Sequence, residues 1–269
     1  MADDYQMPKG ALMAGKRGII TGVANHNSIA WGIASQLAAQ GAEIALAYMD
    51  MNEKRVRPLG ESIGVKVWAS LDVANDASME AAFKTVEDAW GSIDFLVHAI
   101  AFADRDQMKG SMVEAANREA FARALDISCY SFIDAAGRAA RLMPNGGSII
   151  TLTYLGSERA IPNYNIMGVA KAALEAAMRY LARDLGPRGI RVNALSAGAM
   201  RTLSLAGISG GRGMLAQGRS MSALKEDTSM EGVAGCALWL LSDLGRSTTG
   251  EVVHVDAGFH MMGLPAGEE

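Results

Sequence analysis

The sequence is poor in the residue types on which several classes of protein depend. It contains two cysteines, Cys129 and Cys236, in 269 residues, and they lie far apart in the chain. That spacing matches neither a zinc site nor the disulfide framework of a small secreted protein. Both cysteines fall in apolar segments of helical pattern, so we expect two buried, reduced thiols. The four histidines also lack the spacing of metal ligands, at His26, His98, His254 and His260. No metal site is therefore predicted.

Aromatic residues and long apolar runs are also few, and the net charge is small. Only 6% of the residues are aromatic, and the net charge of −4 is spread without a basic stripe, which argues against nucleic-acid binding. No window of 18 or more residues is free of charged and strongly polar side chains, so no membrane span is predicted. The N-terminus is acidic and has no apolar run behind it, unlike a signal peptide. We expect a soluble, cytoplasmic protein.

Apolar residues make up half of the chain and follow a repeating order. Short, nearly continuous apolar runs are typical of parallel strands covered on both faces, and they alternate with segments of helical spacing. Strands are predicted at 17–21, 43–48, 65–70, 95–98, 147–153, 191–195 and 251–255. Helices are predicted at 29–40, 53–63, 77–90, 118–142 and 231–241, and after Tyr164 to about 184. Residues 1–15 are expected to form a loosely held arm, and 198–229 is a stretch rich in Gly, Ser and Met.

This alternation predicts the fold class. Strands that alternate with helices form right-handed βαβ units and a parallel sheet. We predict an α/β fold with a Rossmann-type, doubly wound parallel sheet of about seven strands. No linker or change in composition divides the chain, so residues 1–269 are expected to form a single dinucleotide-binding and catalytic domain.

Residues 154–171 contain the candidate chemistry. Tyr164 and Lys171 are seven residues apart, two turns of helix, so their side chains fall on one face. A nearby cation favours tyrosinate, so we expect the pKa of Tyr164 to lie below its usual value near ~10. Such a phenol can donate a hydrogen bond or a proton to an oxygen that gains negative charge. The alternative is an aromatic side chain in the core and a lysine that extends to water.

The turn between the first strand and the first helix is the candidate site for the cofactor phosphates. Free backbone N–H groups and the positive end of a helix favour a pyrophosphate there. Gly22 lies in this turn, and Ser28 stands at the N-cap position before Ile29. A regular G-x-G-x-x-G pattern is absent, so a glycine turn followed by a capped helix fits equally well.

The ends of the next strands contribute to the choice of cofactor. Asp50 follows the second strand, where a carboxylate accepts from a ribose hydroxyl and repels a 2′-phosphate, so NAD(H) is favoured over NADP(H). Lys54 is close enough in sequence for its side chain to reach back to a 2′-phosphate, so the preference for NAD(H) is modest. Asp72 and Val73 follow the third strand and are expected to edge the adenine. The residues after His98 are expected to edge the nicotinamide ribose, with His98 itself packed in the core.

These segments together resemble a known family. The matching residues are Thr21–Gly22 and 28–34, 72–73, 97–102, 152–171, 186–193, 196–198, 201–202 and 250–256. From about residue 15 to 263 the chain resembles the bacterial enoyl-acyl-carrier-protein reductases, a divergent branch of the short-chain dehydrogenases. The most specific feature is Lys171, which follows Tyr164 by seven residues, whereas ordinary members of the superfamily use a spacing of four.

The resemblance implies a reaction and a set of site residues. It implies reduction of a trans-2-enoyl thioester on acyl carrier protein in type II fatty-acid synthesis, with transfer of hydride from NADH to the β-carbon. Tyr164 would hydrogen-bond the resulting enolate, Lys171 would hold the nicotinamide ribose, and Tyr154 would shape the pocket. The implied cofactor contacts are Gly22, Ser28, Ile29, Asp72, Val73, Ile100, Lys171, Met200 and Thr202. The implied substrate contacts are Ala101, Tyr154 and Tyr164. A homotetramer is also implied.

The chain departs from the family pattern mainly in the implied substrate lid at about 198–229. Ala199 replaces a usual proline, Gly210 and Gly211 replace an Asp-Phe pair, and 223–226 read Ala-Leu-Lys-Glu instead of Pro-Leu-Arg-Arg. Met49 also departs, at a position where relatives are polar or basic. A lost aromatic removes apolar contact with the acyl chain, and glycines add ordering entropy to closure. We therefore expect an altered chain-length preference or reduced activity.

The same stretch has four basic residues and no acidic one between positions 201 and 225: Arg201, Arg212, Arg219 and Lys225. A positive rim would attract an acidic carrier protein. The alternative is a solvated loop without a partner.

Two further functions remain open from the sequence. A short-chain alcohol or carbonyl dehydrogenase would use Tyr164 as acid or base for a hydroxyl group. It usually has a serine where Thr153 and Tyr154 end the strand here. A catalytically weak NAD-binding paralogue is the third possibility, suggested by the altered lid.

Overall fold

Seven parallel strands form one sheet in a computed structural model that describes residues 7–208 and 210–263. The strands are β1 Arg17–Thr21, β2 Glu43–Tyr48, β3 Val67–Ser70, β4 Phe95–His98, β5 Gly147–Thr153, β6 Ile190–Ala197 and β7 Val252–Val255. Their order across the sheet is β3-β2-β1-β4-β5-β6-β7. The direction of the order reverses between β1 and β4, and ligands in such folds bind beyond the carboxyl ends of the strands at this point.

Helices cover both faces of the sheet. They are α1 Ile29–Ala39, α2 Glu53–Ser62, α3 Asp76–Trp90, α4 Met112–Ala115, α5 Arg118–Leu125, α6 Ser131–Arg141, α7 Asn165–Leu185, α8 Leu203–Ala206, α9 Gly211–Met221 and α10 Met230–Leu241. One core contains side chains of α3, α6 and α7, and the other contains side chains of α1 and α10. Because the strands between them are buried on both sides, they have the apolar sequences that indicated a parallel sheet. The predicted fold class is confirmed.

The long helix predicted at 118–142 is interrupted. A π-helical turn at Asp126–Tyr130 separates α5 from α6, and such turns are frequent near functional sites. Cys129 lies in this turn and is half-buried, as is Cys236. The prediction of two fully buried thiols was therefore too strong, although both are free.

The expectation of a loose N-terminal arm is wrong for its described part. The Pro8 carbonyl accepts hydrogen bonds from Gln36 Nε2 at 3.1 Å and Gln40 Nε2 at 2.7 Å. Met13 is fully buried, and a buried methionine contributes roughly 1.5–3 kcal/mol of transfer free energy. The segment at 8–15 is thus held to α1 and to Gln40, which follows it, by hydrogen bonds and by the buried Met13 side chain, while residues 1–6 lie outside the described chain.

The Gly-, Ser- and Met-rich stretch contains two helices that composition did not predict. These are α8 and α9, and α9 includes Gly211, Gly213 and Gly218. Glycine is unfavourable within a helix by about 1 kcal/mol relative to alanine, so the sequence favours a loop.

In the described residues, no helix is long and apolar enough to cross a membrane.

Candidate active site

A cavity of about 600 Å³ lies at the carboxyl ends of the strands. All but two of the predicted site residues line it: Gly22, Ser28, Ile29, Ile100, Ala101, Tyr154, Tyr164, Lys171, Met200 and Thr202. Asp72 and Val73 are absent from its lining. They lie in the turn after β3, where Asp72 Oδ1 accepts from the Ala74 N–H at 3.0 Å. The predicted residues thus converge from several loops, except for the adenine pair.

The turn after β1 is held close to the turn after β4. Gly22 has φ +84°, and a Cβ there would lie 2.0 Å from the Ala99 carbonyl oxygen. Only glycine combines that backbone conformation with so close a contact. The backbone of the β1–α1 turn therefore stays open to a ligand beside it.

Ser28 has a different role from the predicted helix cap. Its Oγ accepts hydrogen bonds from the Ala24 and Asn25 N–H groups at 3.0 and 3.1 Å, and it makes no cap bond to α1. The hydroxyl closes the turn instead, because both donors lie within four residues before it. The first N–H groups of an uncapped helix need other partners, and here Ser28 and Ile29 border the cavity. This arrangement suits an anion.

Two tyrosines meet at one part of the cavity. Tyr154 follows β5, and Tyr164 stands at the N-cap position of α7. Their ring centroids are 4.9 Å apart at an interplanar angle of 69°, an edge-to-face contact. Such a contact stabilises a pair of rings by roughly 0.5–1.5 kcal/mol, so Tyr154 fixes the position of Tyr164.

Lys171 is buried rather than extended to water. It is 6% exposed, and its Nζ donates a 2.6 Å hydrogen bond to the Leu152 carbonyl at the end of β5. Burial lowers the pKa of Lys171 to about 8, and Glu175 is the main group that opposes this shift. The alternative of a lysine with its head in solvent is therefore wrong.

The expected direction of the Tyr164 pKa shift is also wrong. The residue is 7% exposed, and burial raises its pKa well above the usual value, with smaller contributions from Tyr154 and Glu175. Burial similarly raises the pKa of Tyr154 to about 12, with a further contribution from Asp256. Desolvation of the buried phenol is the largest cause of the Tyr164 shift, because burial disfavours the charged form. Tyr164 is thus a neutral phenol that can donate its hydrogen.

His98 is the packed core histidine that the sequence suggested. It is fully buried, and its two ring nitrogens lie 3.1 Å from Thr151 Oγ1 and 2.9 Å from Ser131 Oγ. Burial, aided by Lys171, lowers the pKa of His98 to about 3. The ring is therefore neutral. It connects β4, β5 and α6 beneath the cavity.

Sequence reasoning missed much of the apolar lining and one polar pair. Phe102, Met108, Met167, Leu205 and Met214 also line the cavity. Met167 could have been found, since it follows Tyr164 by three residues and precedes Lys171 by four on one helix face. The missed polar pair consists of Thr153 and Glu175, in which the Thr153 hydroxyl donates a hydrogen bond to Glu175 Oε1. No motif in the sequence indicated this pair.

Helices α8 and α9 form one wall of the cavity. A Cβ at Gly211 would lie 2.5 Å from the Leu205 carbonyl oxygen, and Gly210 has φ +83°. The two glycines therefore allow α9 to pack closely on α8. This packing is a structural role that the expectation of a merely flexible lid did not include.

One basic residue of this wall is paired with a carboxylate, and a second donates a hydrogen bond to a carbonyl. Arg219 Nε donates to Asp227 Oδ1 at 3.1 Å, and Lys225 Nζ donates to the Ser220 carbonyl at 2.8 Å. Arg201 is exposed, and the side chain of Arg212 lies outside the described part. The positive rim is thus weaker than the residue count from 201 to 225 indicates.

Metal ligands are not grouped in the part of the chain that the structure describes. The rings of His254 and His260 stack with centroids 4.0 Å apart, and His260 Nδ1 lies 3.0 Å from Asp256 Oδ1. These residues pair with each other without forming a set of three ligands.

Comparisons with known proteins agree with this geometry. The family model described as "Enoyl-(Acyl carrier protein) reductase" matches residues 22–260. The enoyl-[acyl-carrier-protein] reductase [NADH] 1 of Rhizobium meliloti is 54% identical over 256 residues, which cover 95% of this chain and 94% of the relative.

Solved structures of similar proteins have the same fold. The enoyl-acyl-carrier-protein reductase of Anaplasma phagocytophilum, in complex with NAD, superposes with a TM-score of 0.93 at 51% identity, covering 97% of this chain and 100% of that one. The Bacillus cereus enzyme, with NADP+ and indole naphthyridinone, gives 0.92 at 44% identity, covering 94% and 100%.

Proposed function

The chain belongs to the enoyl-(acyl carrier protein) reductase family, and from this premise we propose its reaction. The protein reduces the trans-2 double bond of enoyl thioesters with NADH, for fatty-acid synthesis. The observation that carries the proposal is the placement of a neutral phenol, Tyr164, and a buried ammonium, Lys171, in one cavity with the β1–α1 turn.

Each part of the cavity has a task in this reaction. A bound nicotinamide dinucleotide supplies two electrons and one hydrogen. Tyr164 donates a hydrogen bond to the thioester oxygen as that oxygen gains negative charge, and a preorganised donor of this kind contributes roughly 10²–10³ in rate. Lys171 holds the ribose hydroxyls and adds positive potential. Tyr154 keeps the Tyr164 ring in place, and apolar residues such as Met167 and Phe102 surround the acyl chain and exclude water.

The residues present fit a dinucleotide. Gly22 leaves the turn after β1 without a side chain, Ser28 holds that turn closed on itself, and the start of α1 borders the cavity. NADH is proposed over NADPH because Asp50 is exposed directly after β2, where a carboxylate repels a 2′-phosphate. One relative is named as an NADH-dependent enzyme, and one similar structure contains NADP+, so both cofactors belong in the test.

Acyl carrier protein and a homotetramer complete the proposal. The names of the relatives specify a carrier-bound substrate, and Arg201 and Arg219 are exposed beside the cavity wall.

Strand β7 forms one edge of the sheet, and Trp239 and Leu244 are exposed near it. These features support contact between subunits at this edge.

The dehydrogenase alternative has less support from the geometry. In such enzymes a serine usually assists the tyrosine from the strand end. Here the Thr153 hydroxyl at that position is engaged with Glu175. The hydroxyl is therefore directed to α7 rather than to a substrate.

One assay separates the three functions. The purified chain is mixed with NADH or NADPH and either crotonyl thioester or a ketone thioester, and loss of cofactor absorbance is followed. We expect oxidation of NADH with the crotonyl substrate alone. Activity with the ketone indicates the dehydrogenase, and no loss of absorbance with either substrate indicates the weak paralogue.

The altered lid at 198–229 leads to a second proposal about specificity. We propose a chain-length preference that differs from that of relatives with an aromatic at the position of Gly211. Rates across enoyl thioesters of four to sixteen carbons test this, and a profile that matches the relatives removes the idea.

A further inference from the structure

Glu175 is a buried carboxylate that the proposed reaction does not use. It is 6% exposed and lies on α7, four residues after Lys171. Charged side chains are seldom this buried without a partner, because the loss of hydration is costly. One oxygen accepts from the hydroxyl of Thr153, the last residue of β5. The carboxylate therefore lies against the strand end that precedes Tyr154.

The same strand end also holds Lys171. The Nζ of Lys171 donates to the Leu152 carbonyl at 2.6 Å, and Leu152 is the neighbour of Thr153 in β5. Residues four apart on a helix share one face. The ammonium and the carboxylate thus lie on the same face of α7, and each is hydrogen-bonded to one of two consecutive residues of β5.

We propose that Glu175 is a positioning residue, which keeps the Lys171 ammonium charged and fixed at the end of β5. This inference rests on the proposed function only in the role that it gives to Lys171.

The groups around Lys171 explain why it needs an anion. Burial favours the neutral amine, and the pKa of Lys171 falls to about 8 with Glu175 present. His98 beneath it is neutral, and burial raises the pKa of the Cys129 thiol on the π-helical turn. Tyr164 is also neutral. Among the described groups that oppose the fall in the Lys171 pKa, Glu175 is the carboxylate and has the larger effect, ahead of Cys129, so its loss removes most of this opposition.

The test is the ionisation of Lys171 in the cofactor-free protein. The chain is labelled with 13C at the lysine ε-carbons, and the Lys171 signal is assigned by its loss in Lys171→Met. We expect Glu175→Gln to lower the pKa of Lys171 by at least about one unit, the effect of removing an opposite charge nearby. The pH above which kcat/KM for NADH falls should decrease by the same amount. Glu175→Asp should restore both this pH and the pKa of Lys171.

Two matched variants separate charge from structure. Thr153→Val removes the hydrogen bond to Glu175 but keeps the charge. Asp184→Asn removes an exposed carboxylate from the same helix. We expect both to leave the Lys171 pKa within a few tenths of a unit. An unchanged pKa in Glu175→Gln overturns the proposal, and so does an equal fall in Thr153→Val.

A stability measurement decides the matter if Glu175→Gln does not fold. If the two charges compensate each other, the double variant Lys171→Met/Glu175→Gln folds and recovers part of the lost stability. A double variant as unstable as Glu175→Gln contradicts the proposal. Since neither the titration nor the stability needs a substrate, a failure of enoyl reduction refutes the proposed function and leaves this test intact.

Discussion

We expect the ionisation of Lys171 to determine the pH range in which the site is active. With a pKa of about 8, Lys171 is charged below pH 8 and becomes neutral above it. We therefore expect kcat/KM for NADH, which reports groups of the free enzyme, to be level below pH 8. Above that pH it falls about tenfold per unit. Tyr164 adds no limb in this range because its pKa is raised.

Lys171→Arg is the control for this pH profile. Arginine stays charged throughout the range, so the limb near pH 8 disappears although the overall rate falls. A limb that stays near pH 8 in the arginine variant shows that another group titrates.

Tyr164 also depends on a glycine beneath its ring. A Cβ at Gly156 would lie 2.3 Å from Tyr164 Cδ1, so Gly156→Ala moves the phenol. We expect kcat with crotonyl thioester to fall at least about tenfold, as expected for a displaced reacting group, with unchanged NADH affinity by fluorescence titration. Gly186→Ala is the matched control, because nothing lies within 4 Å of its Cβ position. Equal rates in the two variants contradict this role.

At the residue scale, sequence spacing predicted which groups meet but not how they ionise. The seven-residue spacing brings Tyr164 and Lys171 to one cavity, as predicted. The direction of the Tyr164 pKa shift was wrong because it depends on burial by Tyr154 and its neighbours, which only tertiary packing determines. The role of the Ser28 hydroxyl was missed for a similar reason, since the turn folds back on it.

At the scale of elements, the close contact of the β1 and β4 turns is specific to glycine. Gly22→Ala meets both an unfavourable φ of +84° and the Ala99 carbonyl. Gly15→Ala has the unfavourable φ of +76° alone, with nothing within 4 Å. We expect Gly15→Ala to lose about 1 kcal/mol of unfolding free energy without effect on the cofactor. Gly22→Ala should weaken NADH binding at least tenfold by calorimetry. Equal NADH affinities in both variants contradict the proposal that the turn after β1 binds the cofactor.

Helix α9 offers a test of the lid at the same scale. Gly213 and Gly218 have open space around their Cβ positions, so alanine at each should stabilise the helix by about 0.5–1 kcal/mol. We expect the double variant to slow hydrogen exchange over 211–221 and to lower KM for long-chain enoyl thioesters several-fold. NADH affinity stays unchanged as the internal control. Slower exchange with an unchanged KM shows that ordering of α9 does not limit substrate binding.

Elements were predictable where composition and packing agree. The buried strands have apolar sequences, so β1, β2, β4 and β5 were predicted with their observed bounds. Helix α9 was missed because its glycines favour a loop, although one of them, Gly211, allows it to pack on α8. The segment at 8–15 has no apolar period, yet hydrogen bonds to Gln36 and Gln40 hold it in place.

At the scale of the whole molecule, carrier docking should depend on charge. We expect KM for a carrier-bound enoyl substrate to rise with salt, and KM for the coenzyme A analogue to stay constant, because ions screen exposed charges. Arg201→Glu should raise KM for the carrier-bound substrate alone. Lys66→Glu is the control, since Lys66 is exposed at the amino end of β3. A salt response shared by both substrates contradicts docking at this rim.

The fold as a whole was predictable, whereas assembly was not. Alternating strands and helices predict a doubly wound sheet, and the switch point between β1 and β4 then places the cavity. The position of Asp72 and Val73 outside that cavity, and the number of subunits, depend on surfaces that the local sequence pattern does not describe.

We propose that cofactor binding at the β1–α1 turn and reaction at Tyr164 are separate tasks within one cavity, and a paired measurement tests this most directly. Tyr164→Phe should lower kcat for crotonyl thioester by ~10²–10³, while its NADH affinity stays within about twofold of the wild type. Tyr154→Phe, the matched loss of a hydroxyl beside it, should cost far less. Wild-type turnover in Tyr164→Phe, or an equal loss in both variants, contradicts the account.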